Sequence, residues 1–364
     1  MICVNLSNIV SSELLEIKMS DIRENSQLDD WGNEGLHRKN ARLKLKALLG
    51  DDSIQKLLRR SDLRGAWALF TCWGMIVAAM MCIVWANSQP LVLAIPVIVA
   101  AMLIIAGRQL GLSILMHEAS HRSLFKNAWL NDTLADWLCG QPIMVPVTKY
   151  RKHHMIHHAN TGTEQDNDYS LVKDFPTTRM SLLRKFTRDL LGITGLKSLL
   201  AIQLMNIGVL KFTVSNDVEK LDVKGKPLSY FIKNFFVNAW RMVLIHMVMA
   251  SICVALGHGE LYGIWWLCYL SPYQAFIRIR SLAEHAMTEL SPNMLKNTRS
   301  TKAGFMARLL VAPYRVNFHI EHHALAAVPH WQLANLHKML REKGAVPNPP
   351  GYLQVLNMVS SKAA

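Results

Sequence analysis

Residues 65–107 read GAWALFTCWGMIVAAMMCIVWANSQPLVLAIPVIVAAMLIIAG, lie between Arg64 and Arg108, and contain no charged side chain. Two apolar runs flank Asn87-Ser88-Gln89-Pro90, a string of turn-forming residues. A spanning helix needs ~20 predominantly apolar residues, so each run suffices for one crossing. The stretch is therefore expected to form a helical hairpin through a bilayer. A second hairpin is expected from residues 237–256, which carry Arg241 and His246, through the tip Gly257-His258-Gly259-Glu260, to residues 261–277.

Composition agrees. Of 364 residues, 51% are hydrophobic and 18% charged, a balance richer in apolar residues than that of an average soluble domain. The net charge of +14 suits an anionic membrane surface or nucleic acid, and the uncharged blocks favour the membrane. No interleaving of basic and aromatic residues suggests a nucleic-acid groove. Cys3, Cys72, Cys82, Cys139, Cys253 and Cys268 form no CxxC pair, so neither a disulfide framework nor a zinc ribbon is expected. The N-terminal residues lack the short apolar core and cleavage site of a secretory signal.

Basic residues accumulate on the cytoplasmic side of membrane proteins. Arg38, Lys39, Arg42, Lys44, Lys46, Lys56, Arg59, Arg60 and Arg64 precede the first span, whereas both hairpin tips lack Lys and Arg. Both termini and the long segment between the hairpins are thus expected on the cytoplasmic face. Residues 191–210, apolar but for Lys197, read as an interfacial helix. Residues 129–147 contain Asn131, Asp132, Asp136, Pro142 and Pro146, which argues against a full crossing and for a surface or re-entrant segment.

Three histidine clusters fall on the expected cytoplasmic side: His117-Glu118-Ala119-Ser120-His121, His153-His154-Met155-Ile156-His157-His158, and His319-Ile320-Glu321-His322-His323. On a helix, positions i, i+3 and i+4 share a face, so each cluster converges its imidazoles. Imidazole donors suit iron, copper, zinc or nickel and exclude magnesium and calcium, which take oxygen ligands. Eight or more imidazoles exceed the needs of one ion, so two metal ions are implied. His37, His246, His258, His330 and His337 read as ordinary polar histidines. His117-Glu118-x-x-His121 also matches the HExxH signature of zinc metalloproteases, with Glu118 as general base, but that reading leaves the other two clusters unexplained.

These boxes, with Arg122-Ser123-Leu124-Phe125, Leu130-Asn131-Asp132, the run from His157 to Glu164 with Asp166 and Asp168, Arg280-Ser281-Leu282-Ala283-Glu284-His285 and Asn317-Phe318, resemble the membrane fatty acid desaturase superfamily over about residues 107–340. The resemblance implies an all-α integral membrane protein with two transmembrane hairpins and a cytoplasmic helical cap holding a di-iron site. It divides the chain into a cytoplasmic segment, 1–64, a catalytic membrane domain, 65–340, and a tail, 341–364. It further implies His117, His121, His154, His157, His158, His285, His319, His322 and His323 as iron ligands. Glu118, Glu284, Glu321, Asp166 and His153 are candidates to stand behind those ligands and orient them; each carboxylate reads equally as an ordinary salt-bridged group, and Asp168 shares the choice open to Asp166. The activity implied is oxygen-dependent desaturation of a fatty acyl chain or lipid, or hydroxylation by the same centre. The electrons would come from an external ferredoxin or small haem protein, since the chain carries neither a ferredoxin cysteine pattern nor a His-Pro-Gly-Gly haem motif.

Overall fold

The structure is a computed structural model and describes residues 44–363; Cys3, His37 and most of the N-terminal segment lie outside the described residues. Among those described, the regular elements are helices, with only isolated β-bridges between extended segments. In chain order they are α1 (Asp51–Leu57), α2 (Asp62–Ala86), α3 (Leu91–Ser120), α4 (Val147–Asn160), α5 (Arg179–Leu190), α6 (Ile193–Asn206), α7 (Leu228–Ala255), α8 (Glu260–Leu270), α9 (Pro272–His285), α10 (Phe305–Leu310), α11 (His319–Ala324), α12 (His330–Glu342) and α13 (Tyr352–Val359).

The first hairpin is α2 and α3. Ser61 caps α2 by accepting from the Arg64 backbone N–H at 3.3 Å, and Pro90 sits immediately before α3, where its missing N–H costs no helix hydrogen bond. With α7, these are the three described helices long and apolar enough to cross a membrane. Their outer faces leave large apolar side chains exposed, among them Trp67, Phe70, Met81, Val92, Ile95, Phe236, Val237 and Ile252. In water so broad an apolar surface would drive association; against lipid it is the expected face.

The return limb of the second hairpin differs from expectation. Residues 261–277 are divided between α8 and α9, which meet at Ser271 (φ −116°, ψ −93°). Pro272 opens α9, and a proline disfavours helical geometry in the residue before it. Ser271 Oγ donates to Leu190 O at 2.6 Å, which ties the break to the end of α5. Gly195 of α6 also fits against it: a Cβ there would stand 2.4 Å from Leu270 O.

With 14 residues, α6 is shorter than the ~20 a crossing requires. Residues 129–147 form two π-helical turns, Leu130–Leu134 and Asp136–Gly140, then a 3-10 turn, Gln141–Ile143. The largest buried cluster runs through α2, α3 and α8 under the histidine-bearing helices, from Ile76 and Ile105 to Leu115 and Trp265. A second packs α1 and α12 around Ile320 and Ala324 of α11.

Candidate metal centre and its cavity

The end of α3 carries His117 and His121, α4 carries His153, His154, His157 and His158, α9 ends on His285, and α11 carries His319, His322 and His323. Local contacts fix these helices to one another. Arg151 of α4 donates through Nε to Ser120 O at 2.7 Å and through Nη2 to Ala119 O at 3.0 Å, capping the end of α3. Asp132 bridges Arg151 and Arg122, the latter at 2.7 Å. Burial works to raise the Asp132 pKa, but the two guanidinium groups outweigh it and hold the carboxyl below its usual range. In α11, Ser300 Oγ accepts from the Ile320 N–H at 3.0 Å and donates to Glu321 Oε2 at 2.6 Å.

The structure brings nine imidazoles together in two adjoining sets. His117, His121, His154, His158 and His322 present one donor nitrogen each, all within 4.8 Å of one another, and so do His157, His285 and His323. His319 joins His285 with Glu284 nearby. The sets meet where His158 and His323 stack, ring centroids 4.1 Å apart. All but His121 and His285 are buried.

Within the first set, His158 Nε2 lies 3.0 Å from both His154 Nε2 and His322 Nε2. In the second, His319 Nε2 lies 2.8 Å from His285 Nε2 and 3.1 Å from His323 Nε2. Donors ~2.1 Å from a common ion at right angles would stand about 3.0 Å apart, and these spacings match such edges. Burial pushes the pKa values of His154, His158, His285, His319, His322 and His323 well below 6.5, which keeps the rings neutral, the form that binds metal. Nitrogen donors in this number, unprotonated and converging, fit two transition-metal ions.

His157 differs. Burial pulls its pKa down, but the hydrogen bond of Nδ1 with Asp166 Oδ1 at 2.8 Å and the charge of Asp168 reverse the shift, so the net direction is upward. Asp166 thereby sets the ring's orientation. His153 Nε2 is taken by Asp168 Oδ1 at 2.8 Å, so this ring stands outside both sets. Glu284 accepts from Arg280 Nε at 2.9 Å and approaches His319 Nε2 at 3.6 Å, and burial raises its pKa to about 7. Glu118 Oε2 accepts from Ser123 Oγ at 3.1 Å and the His330 backbone N–H at 2.9 Å. Its other oxygen stays 3.8 Å from His117 Nδ1. Glu321 pairs with Ser300 and, at 2.7 Å, with His337 Nδ1. Glu118 and Glu321 therefore brace the helices that carry the histidines. His246 faces Tyr262 OH at 3.2 Å and His258 faces Glu260 at 3.1 Å, both away from the sets.

A cavity of about 320 Å³ runs up to the second set. Its walls include Leu110, Ile143, Met144, Ile202, Met205 and Ile277, and His154, His157, His285 and His319 lie on its surface. Sequence reasoning missed Tyr150 on this wall and quoted Arg280 only as the start of the stretch leading to His285, with no role of its own. Tyr150 stacks on His154 with centroids 5.0 Å apart; its only signal is a position one helical turn before the second box.

A family model described as fatty acid desaturase matches residues 88–352. The chain belongs to the fatty acid desaturase family. Within it, the chain is 23% identical to dihydrorhizobitoxine desaturase of Bradyrhizobium elkanii, over 82% of this chain and 79% of the relative. It is 24% identical to an sn-1 acyl-lipid omega-3 desaturase (ferredoxin) of a Nostoc strain, over 61% of each. It is also 24% identical to an sn-1 oleoyl-lipid 12-desaturase of a Synechocystis strain, over 64% of this chain and 65% of that one. Members of the fatty acid desaturase family are oxidoreductases, and this chain is an enzyme of the desaturase and hydroxylase type.

Proposed function

We propose that this enzyme introduces a double bond into an apolar chain carried on a fatty acid or lipid, using dioxygen and two iron ions held by His117, His121, His154, His157, His158, His285, His319, His322 and His323. The observation that carries the reading is the joining of two converging imidazole sets to a largely apolar cavity. A methylene group offers neither an acidic proton nor a leaving group, so general acid or base catalysis has nothing to act on. Iron with dioxygen would supply the oxidising power that such a C–H bond demands.

The protein's own part is positioning. Asp166 holds His157 through Nδ1 and leaves Nε2 for the metal. Leu110, Ile143, Met144, Ile202 and Ile277 hold the chain and keep water from it, and a substrate held beside the centre gains from orientation alone. Removal of two hydrogens gives an alkene, whereas oxygen transfer after the first gives an alcohol. The names of all three relatives favour the alkene.

Electrons come from an external protein in this reading, supported by the ferredoxin in one relative's name and by a basic chain of net charge +14 suited to an acidic partner. The catalytic face is cytoplasmic, on the strength of the basic residues preceding the first span. The test is elemental analysis of detergent-purified protein and of the His157→Ala and His322→Ala variants, with product analysis of lipid extracts. About two irons per chain, lost from both variants, with new double bonds in the lipid, is expected. One zinc indifferent to both changes would sink the proposal and revive the metalloprotease reading.

A further inference from the structure

The cavity carries two cations, and they are differently placed. Arg280 is committed to Glu284, its Nε 2.9 Å from Oε1. Lys149 lines the same cavity, one residue before Tyr150, and its Nζ donates to the neutral side-chain oxygen of Asn238 at 2.9 Å. Among the described residues no carboxylate forms an ion pair with it. The three acids on the cavity wall are engaged elsewhere: Asp166 with His157, Asp168 with His153 and Glu284 with Arg280.

The surroundings of Lys149 are not those of a freely solvated lysine. It is half-buried, with Phe212 6.0 Å away, and burial lowers its pKa. Phe212, Thr213, Val214, Ser215 and Val218, from the loop joining α6 to α7, line this cavity too. The loop is held as a short ladder, Lys211 N–H to Glu219 O at 3.0 Å and Leu221 N–H to Val209 O at 2.9 Å, and is tied to the segment after α4 by Ser170 Oγ and Ser215 Oγ at 2.9 Å. An ammonium group partly withdrawn from water gains from an anion far more than a fully hydrated one does. Thr213 Oγ1 accepts from the Ser215 N–H at 3.0 Å, which leaves its hydroxyl proton as a neutral donor on the same wall.

We infer that Lys149, with the 212–218 loop, is a binding site for an anionic group of the substrate, a carboxylate or a phosphate, whose apolar chain occupies the rest of the cavity. The inference rests on the acyl-chain reading above and adds the class of substrate to it: an anionic amphiphile and not a neutral hydrocarbon or sterol-like molecule. It has a geometric consequence. Lys149 precedes His154 by five residues on one helix, ~7.5 Å along the axis at 1.5 Å per residue. An anion fixed there sets the distance from head group to metal centre, so the position of the new double bond is counted from the anionic end.

Binding of three probes to full-length protein in detergent separates the alternatives: oleate, 1-oleoyl lysophosphatidate and oleyl alcohol. Lys149→Gln is expected to weaken oleate or the lysophosphatidate about tenfold or more and to leave oleyl alcohol unchanged, while Lys149→Arg stays within about threefold of wild type. The stronger anionic probe identifies carboxylate or phosphate as the natural group. Equal losses for the alcohol and the anions, or no loss for any probe, overturn the inference. A wild-type protein that binds none of the three overturns the acyl-chain reading itself. In turnover with acids of different chain length, wild type is expected to keep one position from the carboxyl end and Lys149→Gln to give mixed positions; constancy from the methyl end in wild type also overturns the inference.

Discussion

Single side chains behind the proposed ligands divide into those that orient a ring and those that hold a helix, and the two kinds fail differently. Asp166→Asn removes the charge that holds His157. Loss of such a partner costs ~10–100-fold in metal affinity, so iron is expected to leave this variant faster in a chelator competition while the melting temperature without metal changes little. His153→Ala is expected to retain wild-type iron stoichiometry by elemental analysis, because Nε2 of His153 is spent on Asp168. Glu118 tests the protease alternative. Its Oε2 serves Ser123 and the His330 N–H, and glutamine offers an oxygen in the same place, so Glu118→Gln is expected to keep both metal and oxidative activity. Glu118→Ala leaves the buried donor at His330 unmatched and is expected to cost ~1–3 kcal/mol of stability, read as a lower melting temperature. A Glu118→Gln protein with full metal and no activity would instead make this carboxylate a catalytic base.

Helix contacts decide how the histidine-bearing elements come together, and here close backbone approach matters most. At Gly107 of α3 a Cβ would stand 2.6 Å from Leu309 O and 3.0 Å from Leu310 Cα, both in the backbone of α10. The next residue, Arg108, donates to the carbonyl of Leu309 and, at 3.3 Å, to that of Arg308, so α3 caps α10 from its buried face. Gly107→Ala must push the helices apart and is expected to cost ~1–3 kcal/mol. Gly74→Ala on α2 meets nothing within 4 Å and is expected to be neutral or slightly stabilising, since alanine is the better helix former. Melting both variants in one detergent checks the pair; equal destabilisation would refute the contact argument. Three of the four expected spans, and the gathering of the boxes, were legible in sequence because an uncharged run and an i, i+3, i+4 spacing are local patterns. Partition of the imidazoles was not, because spacing names a face and not the face opposite: His158 and His322 group with the α3 pair, while His157 and His323 turn to His285. The roles of Glu118 and Glu321 were hidden for the same reason, their partners His330 and Ser300 being remote in sequence. The break at Ser271 had a visible cause in Pro272, but only the packing of α5 and α6 against it shows that the limb ends there.

Across the whole molecule the buried histidine sets make stability depend on pH and, with the proposed iron bound, on metal as well. For His154, His158, His285, His319, His322 and His323 burial is the largest cause of pKa values well below the ordinary 6.5. Unfolded, these rings take up protons as pH falls through about 6.5; folded, they do not until lower pH. The unfolded state therefore binds more protons in that window, and stability must fall as pH falls, by up to ~1.4 kcal/mol per pH unit for each such ring. The opposite shift at His157 offsets part of this, since its raised pKa favours the folded state on acidification. Iron held as proposed would act in the same direction as high pH, because it would bind the neutral rings of the folded protein and stabilise by mass action. Protein stripped by a chelator is expected to melt lower than the iron-loaded form at pH 7.5, and to lose further melting temperature steadily from pH 7 to pH 5.5. Replacing His322 with alanine should both abolish iron-dependent stabilisation and make that decline shallower, since one suppressed titration is gone. A metal-free melting temperature flat across this range would mean that the imidazoles are hydrated and protonate freely in the folded protein, and the packed two-set arrangement would then not describe the enzyme before it takes up metal.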